Sequence, residues 1–283
     1  MKYIHIKRII YSSLSLILCF SLAGFSQNPQ KNISEYTFSE KTKWADEFNT
    51  SGRPDRNIWG YDLGGGGWGN NELQTYTDNI QNARVEDGFL IIEVLKNETE
   101  PTYTSARLVT KNKRDFLYGR IEVKAKLPEG RGTWPAIWTL ATENNYGNNY
   151  WPDNGELDIM EHVGYDQNRV HSNIHTKAFN HVIGTNRGNN RIVDKASDDF
   201  HLYRMDWYPN LIQFFIDDQM HFELKKEEKF GWAEWPFDKP QYLLLNIAVG
   251  GNWGGQKGVD ENIFPQKMEI DYVRYYELEE TNP

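Results

Sequence analysis

Residues 119–127, GRIEVKAKL, alternate without a break: Ile121, Val123, Ala125 and Leu127 fall on one parity, Arg120, Glu122, Lys124 and Lys126 on the other. Successive side chains of a strand point to opposite faces, so this stretch is a strand with one dry and one wet face. Half-wet strands belong to antiparallel sheets, and an apolar sheet face needs a second layer to cover it. The runs GFLIIEVL (88–95), LIQFFID (211–217), YLLLNIAV (242–249) and MEIDYVRYY (268–276) read the same way. Between them lie turn clusters such as DLGGGGWGNN (62–71), NNYGNNYWPDNG (144–155) and NRGNN (186–190). Helical periodicity is nearly absent. The expectation is an all-β chain folded as a jelly-roll sandwich of two antiparallel sheets.

The first 26 residues read differently. Lys2, Lys7 and Arg8 form a basic start, an apolar run IIYSSLSLILCFSLAG follows, and the small residues Ala23, Gly24 and Ser26 close it. That is the order of a secretory signal; a membrane anchor would want a longer run, about 20 apolar residues, less diluted by Ser. The protein is therefore expected to be secreted, with residues 27–283 as a single domain in which neither repeat nor linker marks a boundary. Cys19, the one cysteine, falls inside the leader. Its neighbour Leu18 is not the small residue that lipid attachment would favour. Cleavage near Ser26 takes Lys plus Arg from 31 to 28 against 40 acidic residues, and the net charge from −9 to −12. An acidic, exported, cysteine-free chain argues against nucleic acid and anionic membranes as partners, and no disulfide framework is available to it.

The stretch GELDIMEHVG, Gly155–Gly164, carries Glu156, Asp158 and Glu161. Glu156 and Asp158 share one face of a strand, and strict alternation would send Glu161 to the other. One extra residue around Ile159–Met160 would make a β-bulge, reset the parity and return Glu161 to the same groove. Close carboxylates raise one another's pKa, which gains a fold nothing. Glycoside hydrolysis does need such a pair, one ionised as nucleophile and one protonated as acid, with Asp158 placed to hold Glu156. A solvated acidic face is the plain alternative. Metal binding is another, since His162 follows Glu161, but neither H-E-x-x-H nor a Cys/His cluster occurs.

GELDIMEHVG resembles the E-x-D-x-x-E signature of glycoside hydrolase family 16, in the bulged form of its laminarinase branch rather than the E-x-D-x-E of its lichenase branch. Further blocks agree in order from about residue 36 to 278, among them WADEFN (44–49), GWGNNELQTYT (67–77), SARLVTK (105–111), YGRIEVKAKLPEGRGTWPAIWTL (118–140), IHT (174–176) and LLLNIAVGGNWGG (243–255). The resemblance implies a concanavalin-type jelly roll with a concave cleft, and hydrolysis of β-1,3-glucan (laminarin) from within the chain with retention of configuration. It implies Glu156 as nucleophile, Glu161 as acid/base and Asp158 as helper, with no cofactor for catalysis. A lichenase acting on mixed-linkage β-1,3-1,4-glucan, a galactan-degrading relative and a non-catalytic glucan-binding jelly roll are the alternatives. The mutually repelling triad argues against the last.

Sugar rings stack their C–H faces on indoles, so Trp134, Trp138 and Trp253, with Trp68, are candidates for the cleft. Asn71, Arg107 and His175 match its substrate-contacting positions, and Asn246 is a further candidate. Family members often hold a structural calcium away from the chemistry; the matching positions here are Glu47, Gly88 and Asp271, oxygen ligands of the kind calcium takes. The chain is expected to act as a monomer.

Overall fold

The alternation at residues 119–127 becomes the strand Gly119–Lys126, with Ile121, Val123 and Ala125 fully buried and the charged parity half-exposed. The computed structural model describes residues 33–100 and 102–281; the expected leader, Cys19 included, lies outside them. Gly119–Lys126 pairs antiparallel with His201–Tyr208 on one side and Gln266–Tyr276 on the other, at the centre of a ten-stranded sheet. Its wet face is laced with ion pairs such as Arg120–Asp206 and Lys124–Asp271. The short strands Gln74–Tyr76 and Tyr103–Ser105 pair in parallel, the one such case among the described pairs.

The second sheet has seven strands: β1 (Gly60–Tyr61), β2 (Arg107–Val109), β3 (Thr133–Ala141), β4 (Glu156–His162), β5 (Arg169–His175), β6 (Arg187–Ile192) and β7 (Gln241–Val249). Their spatial order is β6-β5-β4-β3-β7-β2-β1. Ile121, Val123, Met205 and Ile270 of the first sheet meet Leu157, Ile174, Leu245 and Ile247 of the second in one continuous core. Each such side chain contributes about 1.5–3 kcal/mol when fully buried, which is what clamps the two layers together. The sandwich is a jelly roll whose second sheet forms the concave, cleft-bearing face.

Two stretches depart from their sequence reading. YLLLNIAV is not wet on one face: every residue of β7 is buried. Leu243, Leu245 and Ile247 enter the core, while Tyr242 and Leu244 are roofed on the cleft side by Trp138, Tyr150 and Trp151. All of NRGNN but Asn186, expected as a turn, lies within β6, where backbone pairing to β5 outweighs its low strand preference. Its polar, exposed side chains suit a sheet edge.

The turn cluster at 144–155 is organised by Asn154. Its side chain accepts from the backbone N–H groups of Asn145 and Tyr146, both at 2.7 Å, and donates to Asn144 at 2.7 Å. The loop carries a short helical segment, Tyr150–Asp153, broken by an extended Trp151 (φ −110°, ψ 137°), and brings Trp151 against the cleft.

Candidate active site

The parity break in β4 is a bulge. Asp158 lies opposite Trp138 and Asn173, and Glu161 opposite Ala136 and His171, so three steps along β4 match two on each neighbour. Ile159 and Met160 both point into the core, fully buried. The bulge has its own brace: the Ser172 hydroxyl donates to the Ile159 carbonyl at 2.7 Å and lies 3.0 Å from Nε2 of His221 on the opposite sheet. Burial holds His221 neutral, pushed down to about 4. Glu156, Asp158 and Glu161 thereby come to one face. His162, the residue that suggested metal binding, turns into the interior instead. There Nε2 accepts from the Asn168 N–H at 3.2 Å, and burial pushes its pKa down to about 4.

Two cavities of about 450 and 430 Å³ open on either side of the triad. Trp134, Trp253, His171 and Asn173 line the first; Trp68, Arg107, Trp138 and Trp151 line the second. A smaller hollow above the triad shares walls with both. Glu156 borders all three spaces, Glu161 only the hollow and the first cavity. The acids therefore sit at the waist of a groove that runs past them in both directions.

The electrostatics follow from burial. Glu156 is pushed up to about 8, by burial first and then by the Asp158 charge, with His175 easing it back. Burial, joined by the Glu161 charge, holds Asp158 well above the usual carboxylate range. Glu161 is also raised by burial, against the pull of its donors: the Trp134 indole N–H at 3.1 Å and the Asn173 amide at 3.0 Å. Three such groups titrate as a unit, and ionising one keeps protons on the others. Acid-assisted displacement at a sugar carbon needs one ionised and one protonated carboxyl, so attack by Glu156 requires that the shared protons rest on Asp158 and Glu161.

Trp134 and Trp253 meet edge to face at 5.6 Å in the first cavity. Arg107 is no loose surface cation. Its guanidinium lies between the rings of Trp68 and Trp138, at 4.8 and 4.7 Å, with Nε 3.1 Å from Asp62. Trp138 thus gives one face to Arg107 and its indole N–H to Asn246, at 2.7 Å, and works as floor as much as platform. His175 reaches into the triad, Nε2 standing 3.4 Å from Asp158 and 3.8 Å from Glu156. Asn71 does not border these spaces. Its left-handed backbone, φ 57°, turns the side chain to Asn252 at 2.8 Å, and Asn70 lines the groove in its place. Trp151, Asn173 and His181 also line it and were not anticipated. Asn173 was foreseeable: it lies two residues before His175, on the same face of one strand.

Away from the groove, Glu47 makes a two-pronged pair with Arg274, at 2.7 and 2.8 Å, and Asp271 pairs with Lys124 at 2.8 Å. Asp271 is the extra residue of a second bulge, between Ile270 and Tyr272. Gly88 sits between two strands with φ 82°.

Comparison with known proteins agrees with this geometry. The family model for glycosyl hydrolases family 16 matches residues 69–274. A beta-glucanase of Rhodothermus marinus is 53% identical over 239 residues, 82% of this chain and 84% of that protein. A glucan endo-1,3-beta-glucosidase of Cryptopygus antarcticus is 36% identical over 248 residues, 82% of this chain and 90% of its own. The crystal structure of the laminarinase from Rhodothermus marinus superposes with a TM-score of 0.83 at 50% identity, covering 87% of this chain and 99% of that one. With its carboxylates on a bulged strand at the floor of a jelly-roll groove, the chain belongs to glycoside hydrolase family 16.

Proposed function

We propose that this protein is an endo-β-1,3-glucanase that cuts laminarin-like glucans with retention of configuration. The observation that carries the reading is the position of the triad at the waist of a groove open on both sides, where a polymer can lie across it. The Glu156 carboxylate attacks the anomeric carbon and forms a glycosyl ester, while Glu161 gives its proton to the departing oxygen. Water then attacks the same carbon, Glu161 takes its proton, and the ester bond to Glu156 breaks. Glu156 bordering every space of the groove suits the attacking group. Glu161, confined to one side, suits the acid that meets the leaving sugar. Asp158, buried between them, holds and shares a proton, and His175, Arg107, Trp134, Trp138 and Trp253 bind sugar.

The test is a product profile on laminarin, lichenan, agarose and carrageenan, with a proton NMR time course. Laminarin should give a ladder of oligosaccharides whose new reducing ends appear first as the β-anomer. Preference for lichenan would make the enzyme a mixed-linkage lichenase, and binding without cleavage a glucan-binding jelly roll. The α-anomer appearing first would remove Glu156 as nucleophile.

Assigning the acid role to Glu161 has a pH consequence. Asn173→Ala removes a donor that favours ionised Glu161, so the carboxyl keeps its proton to higher pH. The alkaline limb of kcat/KM should move up in pH, as measured on an activated glucoside. An unmoved limb would place the acid elsewhere.

We further propose export of a mature 27–283 domain acting as a monomer, supported by the basic start and apolar run of the leader. The N-terminus of the exported protein, read by mass spectrometry, checks this. A structural calcium at Glu47, Gly88 and Asp271 rests on the family resemblance and on the Asp271 bulge, which takes that residue's backbone out of the ladder. Glu47 and Asp271 already hold Arg274 and Lys124, so the ion would have to compete for their carboxylates or use backbone oxygens. With calcium bound only by the native state, EDTA should lower the Tm. An unchanged melting curve with no calcium in elemental analysis would remove the site.

A further inference from the structure

Glu156, Asp158 and His175 each present one ligand atom, and these three atoms lie within 4.8 Å of one another. Two of the edges are 3.4 Å, from His175 Nε2 to Asp158 Oδ2, and 3.8 Å, from the same nitrogen to Glu156 Oε1. A tetrahedral zinc with bonds of about 2.0–2.2 Å sets its ligands roughly 3.4 Å apart, so small side-chain movements complete the match. Asp158 is only 3% exposed, and its Oδ2, which faces this gap, has no hydrogen-bond donor among the described residues. A buried carboxyl oxygen without a hydrogen bond, aimed at an imidazole nitrogen, is an unsatisfied polar atom, and a cation that displaces the carboxyl's proton would satisfy it. Glu156 gives the third ligand and borders the groove, so an ion can enter from solvent and keep its fourth position open. Two oxygens and one imidazole suit zinc and its neighbours; magnesium and calcium prefer oxygen alone and more of it.

We propose that the triad face doubles as an inhibitory site for a zinc-class divalent cation, held by Glu156, Asp158 and His175. The ion occupies the place where the reacting sugar carbon must sit and engages the carboxylate assigned to attack it, so it excludes glucan reversibly. Metal binding itself does not rest on the glucanase reading; only the competition with glucan does.

The experiment is calorimetric titration of zinc chloride into the full chain in metal-free buffer, with magnesium and calcium chloride as parallel arms. The expected result is one zinc per chain, no magnesium uptake, and no calcium uptake that His175→Gln alters. His175→Gln and Asp158→Asn should each weaken zinc at least tenfold. His201→Gln, which alters a His–Asp pair on the other sheet, should leave it unchanged. In Glu161→Gln, which keeps all three ligands, prior addition of laminaritetraose should suppress zinc binding. Zinc bound normally but indifferent to the oligosaccharide would fault the glucan reading and leave the metal site standing. Affinity unchanged in His175→Gln, or no zinc bound at millimolar concentration, would overturn the site. Should a variant fail to fold by circular dichroism, zinc-edge anomalous diffraction from wild-type crystals decides. A peak among the three ligand atoms supports the site, and a peak elsewhere or none overturns it.

Discussion

Glu156→Gln should abolish turnover of laminarin, lowering kcat by ~10⁴-fold or more, the scale at which loss of a covalent nucleophile is felt. The amide keeps the size of the side chain but cannot form the ester. In Glu156→Gly, where the lost side chain leaves that face open, azide should restore turnover of an activated β-glucoside by displacing its leaving group and giving an α-glycosyl azide. Asp158→Asn should retain more activity, with a loss on the order of 10², because it assists proton placement without bonding to carbon. The same Glu156→Gln change should raise the Tm, since it removes one member of a buried, self-repelling set. Complete and equal loss in both variants, with no azide rescue, would dissolve the division of roles.

Gly155→Ala should damage both fold and activity. Gly155 adopts φ 85°, and a Cβ there would stand 2.5 Å from Phe237 and 2.8 Å from Pro236. Relieving that overlap costs about 1–3 kcal/mol, and the left-handed backbone about 1–2 more for a residue with a Cβ. Against a total stability of about 5–15 kcal/mol this is a large fraction. The shift also falls on the residue next to Glu156. Thermal melting should show a Tm drop of roughly 5–15 °C, and kcat should fall even in the fraction that remains folded. A variant with wild-type melting and kcat would mean that Phe237 and Pro236 yield freely.

Much of this was legible in the residues because it depends on parity. Gly119–Lys126 alternates by sequence and by burial, and the spacing of Glu156, Asp158 and Glu161 demands an extra residue that the register supplies at Ile159–Met160. What was not legible depends on contacts between distant segments. That β7 is dry on both faces follows from aromatic side chains arriving from β3 and the 144–155 loop. That residues 187–190 are strand follows from β5 lying beside them. Asn70, not Asn71, lines the groove because of one left-handed residue, and adjacent asparagines carry no signal that tells them apart. Trp151 and His181 come from loops whose paths are set by hydrogen bonds such as those of Asn154, invisible to any periodicity.

The bulge also decides where this strand can change length. Ile159 and Met160 both enter the core, so either could be lost and the remaining one would still alternate correctly between Asp158 and Glu161. Removing Ile159 leaves E-L-D-M-E, the spacing of the unbulged branch, with every acid on its original face. A residue gained or lost between Glu156 and Asp158 would instead turn one acid into the interior. Insertions and deletions that preserve the chemistry are thus confined to a two-residue window, and an alignment of bulged and unbulged sequences should open its gap there.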